Sequence, residues 1–142
     1  MPAPMTETAK LSHQLIELYE RLSSWEQDVV KNSGLSTPQM HTIEIVGHSG
    51  SLRMKDLAKK MGVTTGTLTV MIDRLEQQGL LKRTPHETDR RSYLIALTEK
   101  GQKLFVEHHQ YHLHLTEEIT ATLSKEEQAQ FSTVLEKIIG QM

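Results

Sequence analysis

Four histidines lie close together late in the chain, in the segment EHHQYHLH at residues 107–114. On a helix, His108 and His112 lie one turn apart on the same face, which is the geometry that lets two imidazoles bind one metal ion. His41 supplies a third imidazole from an earlier helical stretch, and Glu26 supplies a carboxylate. Such a set of nitrogen and oxygen ligands suits Zn²⁺, which prefers tetrahedral coordination. These four residues therefore form a candidate zinc site.

Amphipathic helices must position these side chains, and the spacing of apolar residues predicts where the helices lie. Apolar residues three and four positions apart predict a helix over residues 8–31. Thr37, followed by Pro38, predicts the N-cap of a second helix that runs to His48. A long helix over residues 99–123, capped by Thr98, carries the histidine pair, and Ser124 with Glu127 forms a capping box for the last helix.

The middle of the chain has a different pattern, with two short helices followed by two strands. The first short helix spans residues 53–60, and the second is capped by Thr64 and ends at Gly79. Residues 80–83 and 92–97 read as strands joined by a long polar loop, which is a β-hairpin. This order is that of a winged helix-turn-helix. The predicted fold class is therefore mainly α with a small β-hairpin wing.

The charge distribution sets this middle segment apart from the rest of the chain. The protein has a net charge of −2, which by itself argues nothing about its partners. Residues 53–91 contain nine Lys or Arg against five Asp or Glu, a net charge of +4, so the remaining residues carry −6. A basic segment between acidic flanks indicates that the middle of the chain meets an anion.

The second short helix is sized to enter the major groove of DNA, and its exposed face is rich in threonine. Threonine hydroxyls can bond to phosphates or base edges. Gly66 allows a close approach of the backbone to DNA, or is simply tolerated near the first turn. Arginines of the hairpin tip can enter a narrow minor groove. The predicted DNA-binding residues are Thr64, Thr65, Gly66, Thr69, Arg74, Arg90 and Arg91.

Two phrases of this segment, GVTTGTLTVMIDRLEQQGLLKR at residues 62–83 and DRRSYLIALTEKG at residues 89–101, resemble the MarR family of bacterial transcription regulators. The resemblance implies a homodimer that binds a pseudo-palindromic operator and responds to an effector. It further implies one domain over residues 1–142, in which residues 1–34 and 99–142 dimerise and residues 35–98 form the DNA-binding lobe.

The histidine pattern is similar to that of the zinc-uptake regulators within this family. His41, His108 and His112 match the ligand positions of those regulators, and Glu26 matches if a small deletion is allowed. This likeness implies zinc as a corepressor. Most of the family instead holds small aromatic or lipophilic molecules in the corresponding region, which implies an organic effector near Met40, His41, Glu44 and Tyr111. The sequence therefore leaves three alternatives open for the effector: a metal ion, a small organic molecule, or no effector at this position.

Several classes of protein are excluded or disfavoured by composition. The chain has no cysteine, which excludes disulfides, thiol catalysis and cysteine-ligated metals. We find no recognisable catalytic spacing and no glycine-rich phosphate loop, so the chain is not expected to be an enzyme. No apolar run approaches the ~20 residues of a membrane span, and we expect a cytoplasmic protein. A winged-helix adaptor that binds proteins rather than DNA is the alternative of another class.

Overall fold

The computed structural model describes residues 4–86, 88 and 92–142. Over these residues the chain is mostly helical with one small antiparallel sheet, which confirms the predicted fold class. By its backbone contacts the chain forms two compact units, Met1–Phe105 and Val106–Met142. The elements in chain order are α1 (Glu7–Val30), α2 (Thr37–Ser49), β1 (Ser51–Arg53), α3 (Met54–Met61), α4 (Thr65–Gln77), β2 (Leu81–Pro85), β3 (Tyr93–Leu97), α5 (Glu99–Thr120) and α6 (Lys125–Gln141).

Side-chain caps begin several of the helices, mostly where the sequence predicts them. Thr64 caps α4 and Ser124 forms the expected capping box with Glu127 at α6. The predicted N-cap of α2 is wrong by one residue. Ser36, not Thr37, has the extended backbone of an N-cap, and its hydroxyl accepts from the backbone N–H of Gln39 at 3.2 Å. The Gln39 side chain accepts in return from the Ser36 N–H at 3.0 Å, so this reciprocal box fixes the start one residue earlier.

The sheet contains the predicted hairpin and one further strand. β2 and β3 pair antiparallel, with Leu81 opposite Leu97 and Pro85 opposite Tyr93. The other edge of β3 pairs with β1, a strand of three residues that the sequence analysis did not predict. Three residues are too few to show a period-2 pattern, so β1 is specified by its pairing with β3 rather than by its own sequence.

The core of the first unit lies among α2, α3, α4 and the sheet. Leu57 of α3 points inward as predicted, and on α4 three apolar residues of the predicted face are fully buried while Met71 is half-buried. Burying one such side chain contributes about 1.5–3 kcal/mol. The buried apolar cluster consists of Val30, Leu35, Met40, Ile43, Val46, Leu57, Ala58, Leu68, Ile72, Leu75, Leu80, Leu81, Ile95 and Phe105.

A buried hydroxyl connects the three central helices of this core. The side chain of Thr42, on α2, has no exposed surface, and its hydroxyl donates to the carbonyl oxygen of Pro38 at 2.8 Å. The same oxygen lies 3.1 Å from the sulfur of Met61 on α3 and 3.0 Å from the sulfur of Met71 on α4. The polar group is therefore satisfied inside the core and ties the helices of the helix-turn-helix together.

The start of α5 is fixed against the turn that follows α4. The Thr98 hydroxyl accepts from the N–H of Gly101 at 3.0 Å, which confirms the predicted cap, and it donates to the carbonyl oxygen of Gly79. At Gly101 the helix backbone approaches the Leu80 carbonyl so closely that a Cβ would lie 2.1 Å from the oxygen. Only glycine fits here. The helix ends at Thr120, three residues before the predicted Leu123.

Among the residues described, no helix combines the length and the apolar character that crossing a bilayer requires.

The contact at Gly101 predicts a large difference between two glycine-to-alanine variants. Gly101→Ala should lower the free energy of unfolding by about 2–3 kcal/mol, because the methyl group collides with the backbone of Leu80. Gly140→Ala is the matched control on α6, where nothing lies within 4 Å of the added Cβ, and it should raise stability by up to about 1 kcal/mol. Urea unfolding measures both. Equal effects of the two changes would contradict the packing described for the start of α5.

Candidate functional site

The outer face of α4 is exposed. Thr65, Thr69 and Asp73 follow one another at four-residue spacing and so lie on one side of the helix. Both threonines are exposed and Asp73 is partly so, while the opposite side of α4 is buried in the core. The burial of one side therefore determines which residues a DNA duplex could reach.

The hydroxyl groups of this face are already oriented by bonds within the helix. Thr69 donates to the carbonyl oxygen of Thr65 at 2.7 Å. Thr64 accepts from the N–H of Thr67 at 3.1 Å and donates to the Thr67 hydroxyl at 3.0 Å. Since the Thr69 proton is engaged, its oxygen remains to accept from a base amino group, and its methyl group remains to contact a thymine methyl.

Gly66 lies in the first turn of α4 and is exposed. A Cβ added there would meet the Thr64 hydroxyl oxygen at 3.9 Å, which is an ordinary van der Waals contact. The fold of this chain therefore does not itself require glycine at this position. The prediction that the α4 backbone approaches DNA closely here stays a prediction.

A groove separates α4 from the sheet, and its lining combines both charges. One wall carries Thr65, Thr69 and Asp73, and basic and aromatic side chains join it from elsewhere in the lobe. Arg83 of β2 pairs with the Asp73 carboxylate and lies 3.7 Å from that of Glu76, so the guanidinium is engaged inside the groove. The lining residues are Met54, Lys55, Thr65, Thr69, Asp73, Glu76, Arg83, Ser92 and Tyr93.

The base of the wing is tied to the helix-turn-helix by a second arginine. The guanidinium of Arg53 lies 2.9 Å from Nε2 of His86. Arg74 and Lys82 are exposed, so their charges can face a phosphate. Arg90 and Arg91, predicted for the wing tip, lie outside the described residues.

The predicted histidine pair forms within the second unit. Nε2 of His108 and Nε2 of His112 lie 3.1 Å apart, and the ring of Tyr111 is edge-on to that of His108 at 6.5 Å. Two imidazoles bound to one tetrahedral Zn²⁺ at ~2.0–2.1 Å place their ring nitrogens about 3.3 Å apart. The pair therefore fits a shared metal. It equally fits a neutral pair in which one ring donates a hydrogen bond to the other.

The other predicted ligands, Glu26 and His41, belong to the first unit. His41 is exposed, and it is not among the His, Asp and Glu side chains grouped within metal-binding distance in the described chain. Within the first unit, a carboxylate oxygen of Glu44, one turn after His41 on α2, lies within 4.8 Å of one from Glu26. The sequence already places His41 and Glu44 one turn apart on one helix. The sequence analysis assigned Glu44 to the pocket of an organic effector, not to a metal.

The predicted effector residues differ in their accessibility. The Met40 side chain is 1% exposed and belongs to the core, whereas Tyr111 is 48% exposed. An organic molecule could therefore reach the phenol ring directly but would reach Met40 only if the core rearranged. The assignment of these residues to an effector pocket stays a prediction.

The chain is similar to known transcription regulators. The MarR family model matches residues 35–93. The chain is 28% identical to the HTH-type transcriptional regulator MhqR of Bacillus subtilis over 94% of this chain and 93% of that protein. It is 32% identical to the organic hydroperoxide resistance transcriptional regulator of the same species over 67% of both. The chain spans between 44% and 93% of the length of the curated relatives it matches.

Two solved structures have the same architecture as this chain. Streptococcus pneumoniae FabT in complex with DNA superposes with a TM-score of 0.84 and 26% identity, covering 94% of this chain and 96% of that chain. NadR in complex with 4-hydroxyphenylacetate gives a TM-score of 0.78 at 25% identity over 97% of both chains.

Proposed function

The chain belongs to the MarR family of winged-helix transcriptional regulators, and we propose that it is a cytoplasmic repressor that binds a pseudo-palindromic operator as a homodimer. The observation that carries this proposal is the exposed threonine face of α4 beside the wing. The similarity to FabT, which was solved on DNA, supports it.

In this proposal α4 lies in the major groove and the wing reaches the adjacent minor groove. The face that α4 offers carries no Asn, Gln, Lys or Arg over its first two turns, so bidentate base contacts are few. Specificity then depends mostly on DNA shape and on the wing, where Arg90 and Arg91 are the proposed minor-groove contacts. Arg74 and Lys82 supply phosphate contacts that fix the register. An adaptor that binds only proteins would show no salt-dependent binding to duplex DNA.

Helices α1 and α6 each carry a row of exposed apolar side chains, here called an apolar stripe. We propose that a second copy of the chain packs against both stripes. In the first unit the α1 stripe is 37–61% exposed, and in the second unit the α6 stripe is 38–67% exposed. Stripes of this kind rarely remain in water, and a two-fold partner matches the symmetry of a palindromic site. The stripes consist of Leu11, Leu15, Leu18 and Leu22 on α1, and Phe131, Val134, Leu135, Ile138 and Ile139 on α6.

A charge placed in the α6 stripe should separate the subunits and abolish tight DNA binding. We expect Ile138→Glu to sediment as a monomer and to bind a duplex enriched by the wild type from a random pool at least tenfold more weakly. Thr133→Glu, on the opposite side of the same helix, is the control and should remain a dimer with unchanged affinity. A monomeric wild type, or an Ile138→Glu dimer with full affinity, would overturn the homodimer.

We further propose that the effector is Zn²⁺, held by the His108–His112 pair. The 3.1 Å separation of the two Nε2 atoms and the burial of His108, which is 2% exposed, support a chelate rather than two solvated side chains. Glu26, Glu44 and His41 are the candidates for the remaining ligands. When bound, the metal would supply a fixed link between the elements that carry its ligands. Such a link changes DNA affinity only if zinc prefers the DNA-binding conformation, which a corepressor must do.

A small aromatic effector is the second candidate, favoured by one finding. NadR, a structural neighbour of this chain, was solved with 4-hydroxyphenylacetate. Tyr111 is half-exposed and lies edge-on to His108, so it offers an aromatic surface beside an imidazole that could hydrogen-bond a polar group. The two candidates make opposite predictions for a titration with zinc alone.

Isothermal titration with ZnSO₄ distinguishes them. The wild type should bind about one Zn²⁺ per subunit, and the double variant His108→Ala/His112→Ala should lose this binding. His114→Ala, an exposed histidine on the same helix, is the control and should bind as the wild type does. Single changes Glu26→Gln, Glu44→Gln and His41→Ala then identify the other ligands by their loss of affinity. Equal weak heats from the wild type and the double variant would exclude the metal.

A further inference from the structure

Three charged side chains join the helix α4 to the wing strand β2. Nη2 of Arg83 contacts Oδ1 of Asp73, and Nη1 of Arg83 lies 3.7 Å from Oε1 of Glu76. The Arg83 side chain is 25% exposed, whereas those of Asp73 and Glu76 are 48% and 41% exposed. The guanidinium is thus the most shielded member of the group and faces a carboxylate with each terminal nitrogen.

This arrangement makes Arg83 a poor phosphate contact although it lies in the basic segment. The three side chains together carry a net charge of −1, so an approaching phosphate meets two carboxylates around one cation. Binding a phosphate would require the guanidinium to leave the Asp73 contact, which is a charge-assisted hydrogen bond. The positive charge of Arg83 therefore compensates acidic residues of the protein instead of the DNA backbone.

The position of Arg83, Asp73 and Glu76 in the fold indicates a structural role for this ion group. Asp73 continues the face of α4 that begins with Thr65 and Thr69. Arg83 lies in β2 opposite Ile95, whose side chain is fully buried, so the backbone that carries Arg83 is anchored in the core. The ion group therefore links a helix side proposed to read the major groove to a strand that leads into the wing.

We infer that Arg83 is a positioning residue that holds α4 and the wing at a fixed separation through Asp73 and Glu76, and thereby determines how well the protein discriminates between duplexes. This rests on the proposed function, in which both elements contact one operator. A specific duplex needs both contacts in register, whereas a non-specific duplex needs only cations near phosphates. Loss of the group should therefore lower specific affinity more than non-specific affinity.

The test compares a duplex enriched by the wild type from a random-sequence pool with the unselected pool, each over a range of salt concentrations. Arg83→Met should lower the ratio of specific to non-specific affinity at least tenfold and leave the salt slope on the pool unchanged, because no phosphate contact is lost. Asp73→Asn should also lower the ratio while increasing affinity for the pool, because a carboxylate is removed beside the DNA. Arg83→Lys should restore part of the ratio.

The control is Arg21→Met, which removes an exposed ion pair of similar chemistry on α1, where Arg21 and Glu17 lie 2.8 Å apart. It should leave the ratio unchanged, and thermal melts verify that each variant is folded. A salt slope that flattens by about 0.9 in Arg83→Met identifies Arg83 as a phosphate contact and overturns the inference. Ratios within twofold of the wild type in both Arg83→Met and Asp73→Asn also overturn it. A wild type that enriches no duplex overturns the proposed function itself.

Discussion

The burial of one side of α4 is the constraint on which the rest of the structure depends. Leu68, Ile72 and Leu75 are fully enclosed by α2, α3 and the sheet, so the helix can neither rotate nor slide without opening the core. The opposite side, with Thr65 and Thr69, is consequently held outward. The Thr42 hydroxyl and the close approach at Gly101 fix the neighbouring helices in the same unit, which makes the outward face a rigid surface.

Two further features of the molecule concern its binding partners: the number of cations that can face DNA, and the exposed apolar stripes. The basic excess of the middle segment is small, and Arg83 is engaged with acidic residues of the protein, so fewer cations face DNA than the composition indicates. In the proposed dimer, affinity depends on a small number of phosphate contacts that each copy makes once. The apolar stripes of α1 and α6 are exposed, and we propose that a second copy of the chain covers them.

Periodicity and capping chemistry predicted most of the fold, because both are local properties. The buried face of α4, its Thr64 cap, the hairpin and the Ser124 capping box all follow from residues a few positions apart. The strand β1 could not be predicted, since its only specification is pairing with β3 far along the chain. The Asp73–Arg83 contact was not predicted either, because it joins a helix to the strand that follows it and no local sequence pattern specifies such a pair.

Hydroxyl-radical footprinting of the wild type, on a duplex that it enriches from a random pool, shows whether two copies bind one operator through α4 and the wing. We expect two equivalent protected regions centred about one helical turn apart, on one face of the duplex, with two subunits bound per site. A single protected region with one subunit bound, or protection that does not depend on duplex sequence, would contradict this expectation.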